Sequence, residues 1–349
     1  MTMDGNVYRS GVRDPIGVTP ARAERSVRRT SHIDMERLPG GGVRLRGAAR
    51  DLLTAGRPPV LERVDHRRGG QVAQELAAAE VTAILTEGHE LAELSTSPGD
   101  PRVQALVGLP VRSGFRAAAA RALPDERDAA SPLHLLLDDL PVAALISGYA
   151  LLYSGRVEAR SDSLGPQADI CAGWQAGGTM MVALRTDGRL PVPLGPPANS
   201  LVPDDDPRAW HTLPPLPPGA MRRQRLVDVA AGDPESAGSP LGVWAMFRGS
   251  HVDYGGEATV LHEYSLTAEL DPGSLVVTRC EARPQVLPWP ECPLAAASAG
   301  RLVGRRVEEL PDLVRAEFRG TTTCTHLNDL LRSLGGLAAL TPAVPGTTQ

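Results

Sequence analysis

An α+β fold, with an antiparallel sheet packed by helices and the whole unit written twice along the chain, is what this sequence predicts. Three observations predict it. Strand-length runs bounded by turn residues precede helical runs in each half. Asp271-Pro272-Gly273 is turn chemistry suited to an antiparallel meander. Four short patches recur in the same order at offsets of 192 to 202 residues.

Residues 1–27 are polar and arginine-rich with no period, and read as a mobile or loosely docked arm. The first copy is expected over 28–148. Its strands are "SHIDMERL", "VRLRGAARDLLT" and "PVLERVDHR", then a short helix at "GQVAQELAA" and two strands around the Glu-Gly-His turn of "EVTAILTEGHELAELST". Helices are expected at Pro101–Val107, Arg112–Leu123 and Pro132–Ile146.

Residues 149–219 are rich in Gly, Pro and Asp and read as a long connection, with one hairpin around "MMVALRTDGRLPVPL". A loop of that length packs on something or is improbable, so it is expected to cover the site. The second copy, 220–341, repeats strands ("QRLVDVAA", "LGVWAMFRGSHVD", "ATVLHEYSLTAEL", "SLVVTRCEARPQVL") and then three helical runs, before a tail at 342–349. Between the copies Asp34 lies opposite Asp228, Asp51 opposite Asp253, Gly108 opposite Gly304 and His134 opposite His326, with Pro132 in the place of Cys324. The reading is an internal pseudo-dimer whose first copy has lost its cysteines.

Composition narrows the function. The chain has 349 residues, 42% hydrophobic and 3% aromatic, with net charge −5. All 36 basic residues are arginine, so a lysine Schiff base and a Walker-type lysine are both excluded. No concentrated basic footprint argues for nucleic acid, and no run nears the roughly 18 apolar residues of a membrane span. The N-terminus lacks the apolar core of a signal peptide, and the expected location is the cytoplasm. Four cysteines (Cys171, Cys280, Cys292, Cys324) are too few for a disulfide framework and are expected as thiols or ligands. Oligomeric state is not legible.

Chemistry concentrates in "VLPWPECPLAAASAGRLVG" and "TTTCTHLNDLLRSL". Cys324 opens a helix, where free backbone N–H groups favour thiolate. Thr323 or Thr325 is expected to cap that helix, and Asp329 lies on a face from which it would orient His326. Cys292 sits between Pro290 and Pro293 at a second helix start. His262 and Glu263 lie on one strand, whose alternation lets only one of them face the site. Cys292, Cys324, His326 and one of His262 or Glu263 form an S/N/O donor set suited to zinc or iron. Cys324 as a metal-free nucleophile with His326 as base is the competing enzyme reading. A third reading is a scaffold whose buried cysteines merely pack.

These residues resemble the bacterial domain-of-unknown-function family 2889, through the Pro-Trp-x-x-Cys-Pro-x-Ala stretch, a Leu-x-Gly and Cys-Thr-His-Leu, over roughly His251 to Leu340. "PPLPPGAMRRQRLVDV" and "FRGSHVD" resemble its longer, actinobacterial-type form. The order of strands, cysteine-opened small-residue helix and second cysteine-opened helix is more distantly similar to iron–sulfur scaffold proteins of the NifU N-terminal type and their sulfur-acceptor relatives. That likeness implies ligand roles for Cys292 and Cys324 and leaves the first scaffold cysteine without a counterpart. A small organic molecule is the expected ligand class.

Overall fold

The structure, a computed structural model, describes residues 7–8, 11–55, 73–155, 167–188, 190–236 and 238–347. The expected strand at "PVLERVDHR" lies outside them. Eight strands form one antiparallel sheet: β1 (Ser26–Arg37), β2 (Val43–Thr54), β3 (Ala73–Leu85), β4 (Leu91–Ser97), β5 (Met221–Ala230), β6 (Leu241–Val252), β7 (Ala258–Leu270) and β8 (Val277–Val286). Their order is β8-β7-β6-β5-β1-β2-β3-β4, two four-stranded meanders joined where β1 meets β5. Of the helix expected at "GQVAQELAA", the described part, from Ala73, is instead the start of β3: cross-strand bonding to β2 outweighs the helical preference of its alanines.

Side-chain alternation divides the sheet into two faces. On one face, α3 (Pro132–Ile146) buries Leu136, Leu137 and Leu140 against Ile33, Leu45 and Val81. On the same face, α7 (Thr325–Ser333) buries Leu327, Leu330 and Leu331 among Phe247, Tyr264 and Leu266. The other face is covered by the connection, where Leu201 and Trp210 pack on Leu226 and Met246. Each layer follows from one set of alternate residues, since Arg225 and Val227 face the helices while Leu226 faces the connection.

Of the mobile or loosely docked arm expected over 1–27, the part from Gly11 onward is docked on the sheet and the connection. Asp14 N donates to the Gln285 carbonyl, Thr19 N to that of Leu201, and Arg22 pairs with Asp206 at 2.7 Å. Among the described residues no hairpin forms at "MMVALRTDGRLPVPL"; Thr179–Asp187 is a helix, α5, whose first turn Glu291 caps by accepting from Thr179 N at 2.7 Å and Thr179 Oγ1 at 2.8 Å. That distant cap carries the helix over a sequence whose glycines suggested a turn.

Several features of the two meanders occur in pairs. Arg28 reaches Asp228 through two bonds of 2.7 and 2.6 Å, and Arg222 reaches Asp34 through two of 2.6 and 2.7 Å. Gly108 and Gly304 both hold positive φ, 84° and 83°, and donate to the first residues of β4 and β8. Other pairings read from sequence shift. Arg29 lies opposite Asp51 whereas Arg223 lies opposite Gly249, so Asp253 does not take the place of Asp51. Aligned on their helix caps, Ser131 and not Pro132 stands where Cys324 stands.

The run Pro132–Tyr153, formed by α3 and α4 (Gly148–Tyr153), is long and apolar enough to cross a membrane by composition alone. Here Leu133, Leu136, Leu137 and Leu140 of α3 pack in the core against the sheet, while Leu145 is exposed.

Candidate functional site

Between the helices, the connection and the edge of the second meander lies a cavity of about 150 Å³. Its lining brings together Cys171, Cys292, Cys324, His262 and His326. Cys324 is the residue immediately before α7 and Cys292 opens the 3-10 segment Cys292–Leu302. Cys171 precedes the short turn Ala172–Trp174, which Ala172 N ties to the Thr323 carbonyl at 2.8 Å. That single bond places two cysteines from distant segments side by side.

All three thiols are buried. Burial pushes Cys324 up to about 11, and the nearby Cys171 sulfur adds to the rise. Burial likewise raises Cys292 and Cys171, with the Cys324 sulfur adding to the rise at Cys292. Working against this, backbone N–H groups face each sulfur: Gly173, Trp174 and Thr325 toward Cys171, Leu327 and His326 toward Cys324, and Trp289 toward Cys292. The pocket thus disfavours three thiolates, and the facing amides only partly offset the effect of burial.

His326 and His262 stack with ring centroids 3.9 Å apart and planes 19° from parallel. Phe247 stacks on His326 at 5.7 Å, and Arg223 lies over Phe247 with Cζ 4.3 Å from the ring centre. Burial, then the Arg223 charge, holds His326 down at about 3, and burial is also the largest cause of the low value at His262. Both imidazoles are therefore neutral, the form that ligates a metal or accepts a proton. Cys324 Sγ lies 4.0 Å from His326 Nδ1. The Tyr264 hydroxyl donates to the Cys292 carbonyl at 3.4 Å and faces the Cys324 sulfur.

Glu263 does not belong to this site. It points to the opposite face, where it pairs with Arg248 and accepts from Ile16 N at 2.6 Å. Strand alternation allowed only one of the two, and it is His262 that faces the cavity. Asp329 does not orient His326 either, because Arg223 at 3.2 Å and Arg332 at 3.3 Å engage it. Neither Thr323 nor Thr325 caps α7: Thr323 Oγ1 donates to the Gly320 carbonyl and Thr325 is the first helical residue. His251 lies between the rings of Tyr149 and Tyr153, outside the cavity lining. Trp289 forms part of the wall beside Cys292.

Residues 222–339 match the model of a family described as proteins of unknown function, DUF2889. The DUF2889 span begins in β5, ends in α8 (Leu337–Leu340), and contains Cys292, Cys324, His262 and His326. Cys171 lies outside it. No curated protein and no solved structure matches the chain.

Sequence reasoning missed Cys171 and Tyr264. Cys171 is one of four cysteines and sits in a Gly-containing turn, but it belongs to a segment without periodicity. Tyr264 stands two residues from His262 on the same strand face, a relation that alternation could have supplied.

Proposed function

We propose that the cavity is a metal centre in which Cys171, Cys292 and Cys324, with His326 or His262, hold zinc or iron, and that a small organic molecule is bound or converted beside it. The observation that carries this reading is the meeting of three of the four cysteines, from three separate segments, with two neutral imidazoles in one cavity. Thiolate and imidazole are donors that suit these ions, and amides facing each sulfur are the surroundings that metal-bound thiolates need. Among the described residues no three such side chains are gathered at ligand distances, so binding would draw them together. Cys171 would supply a third thiol, which the likeness to iron–sulfur scaffold proteins left without a counterpart.

The paired salt bridges, the matched glycine turns and the sheet order support reading the chain as a duplicated unit. On that reading the first copy kept the fold and lost the centre, with Ser131 at the cap where the second has Cys324.

Metal analysis of protein purified without a histidine tag tests the centre. About one equivalent of zinc or iron is expected, lost in Cys171→Ala and in Cys324→Ala. Protein that is folded yet metal-free after growth and purification with both metals supplied would overturn it.

The contact between Cys324 Sγ and His326 Nδ1 favours a second reading, a metal-free thiolate with His326 as base. The raised Cys324 value weighs against it. Fast, selective alkylation of Cys324 at neutral pH, together with absence of metal, would establish it instead.

A further inference from the structure

Among the described residues the lining of the cavity carries no charged side chain: beyond the thiols, the imidazoles and Thr325 it is apolar or aromatic. Tyr149, Leu152, Trp174, Met180 and Trp289 form much of that wall. Arg223, the cation nearest to the imidazoles, lies over Phe247 and is absent from the lining. With no metal bound, a carboxylate, phosphate or ammonium entering here would lose its water with no charged side chain of the described lining to meet it. A neutral ring or short aliphatic body would exchange water for apolar contacts.

Size narrows the class further. An apolar cavity of about 150 Å³ is one that holds benzene. From these observations we infer that the ligand is a neutral, mainly apolar molecule about the size of a monosubstituted benzene. It carries one uncharged polar group, for which the thiols and imidazoles are the cavity's main polar partners. This deepens the reading of the cavity as the functional site, but it rests on the wall and not on the metal. Much of the selectivity comes from outside the DUF2889 span, since Tyr149, Leu152 and Trp174 precede it. Tyr149 also donates to the Pro193 carbonyl at 2.6 Å, tying together two parts of the wall.

Benzyl alcohol, benzoate and benzylamine share one ring and differ in charge, and their binding to the full chain is measured by calorimetry in metal-loaded and chelator-stripped protein. Benzyl alcohol is expected to bind saturably, and the two charged probes about tenfold or more weaker. Leu152→Trp, which fills the cavity, is expected to abolish benzyl alcohol binding; Met180→Trp gives the same test should the first variant not fold. Equal binding of either charged probe to the chelator-stripped protein, binding that survives the filling substitution in a folded variant, or no binding of benzyl alcohol in either metal state would each overturn the inference. Benzyl alcohol binding in protein that never takes up metal would leave this inference standing and remove the metal centre.

Discussion

Asp139 illustrates how much of this molecule depends on buried charge. It is buried on α3, with Arg225 at 2.8 Å and Arg223 at 3.7 Å. Burial alone would raise its carboxyl, but Arg225 and Arg223 together outweigh that and hold it below the ordinary value. Asp139→Ala would leave two buried guanidinium groups short of a partner, and a loss of about 3–5 kcal/mol is expected in urea unfolding. Asp312→Ala, at an exposed pair, should change stability by less than about 0.5 kcal/mol. On the other face of the sheet, Thr30 Oγ1 lies 2.7 Å from His211 Nδ1, and His211 Nε2 lies 2.6 Å from His32 Nδ1. Burial first, then nearby positive groups (Arg222 at His32), holds both rings neutral down to about 3, from an ordinary 6.5. Below 6.5 the unfolded chain binds protons that the folded one refuses, so stability falls with pH and levels off near 3. The slope is at most about 1.4 kcal/mol per pH unit for each ring. Unfolding titrations should show this slope, reduced in His211→Gln; an unchanged slope would show that other groups set it.

At the level of elements, most strands and helices follow from local pattern. The exceptions have long-range causes. The stretch from Ala73 belongs to a strand because β2 offers it a ladder, and Thr179–Asp187 is a helix because Glu291, far along the chain, closes its first turn. Glu291→Ala should therefore loosen α5 by about 1–2 kcal/mol, read as faster hydrogen exchange at the amides of residues 179–187 with the sheet amides unchanged. The same carboxylate sits beside Cys292, so the helix cap and the thiol cavity share one loop. Cys324 precedes α7 where Ser131 caps α3, and only Ser131 makes the usual cap bond, accepting from His134 N at 3.1 Å.

Across the whole molecule, the two meanders share ten paired residues between β1 and β5, and the two Arg–Asp pairs cross that seam. Asp138 pairs with Arg332 across the helix layer as well. The halves should accordingly unfold together: calorimetry is expected to show one transition with calorimetric and van't Hoff enthalpies in agreement, and two separate transitions would show that the seam does not couple them.

Residue order by itself determined an antiparallel sheet with helices after each run of strands. It also pointed to Cys292, Cys324, His326 and one of His262 or Glu263 as a group, because periodicity, turn residues and helix starts are local properties written in neighbouring residues. Which of His262 and Glu263 faces the cavity required knowing which sheet face the helices cover. That Cys171 joins the other two thiols required the backbone bond from Ala172 to Thr323, a contact between segments whose separation leaves no periodic trace. Burial, and with it the raised thiols and neutral imidazoles, is a property of the assembled layers, and so the electrostatics of the site were decided only when the chain folded.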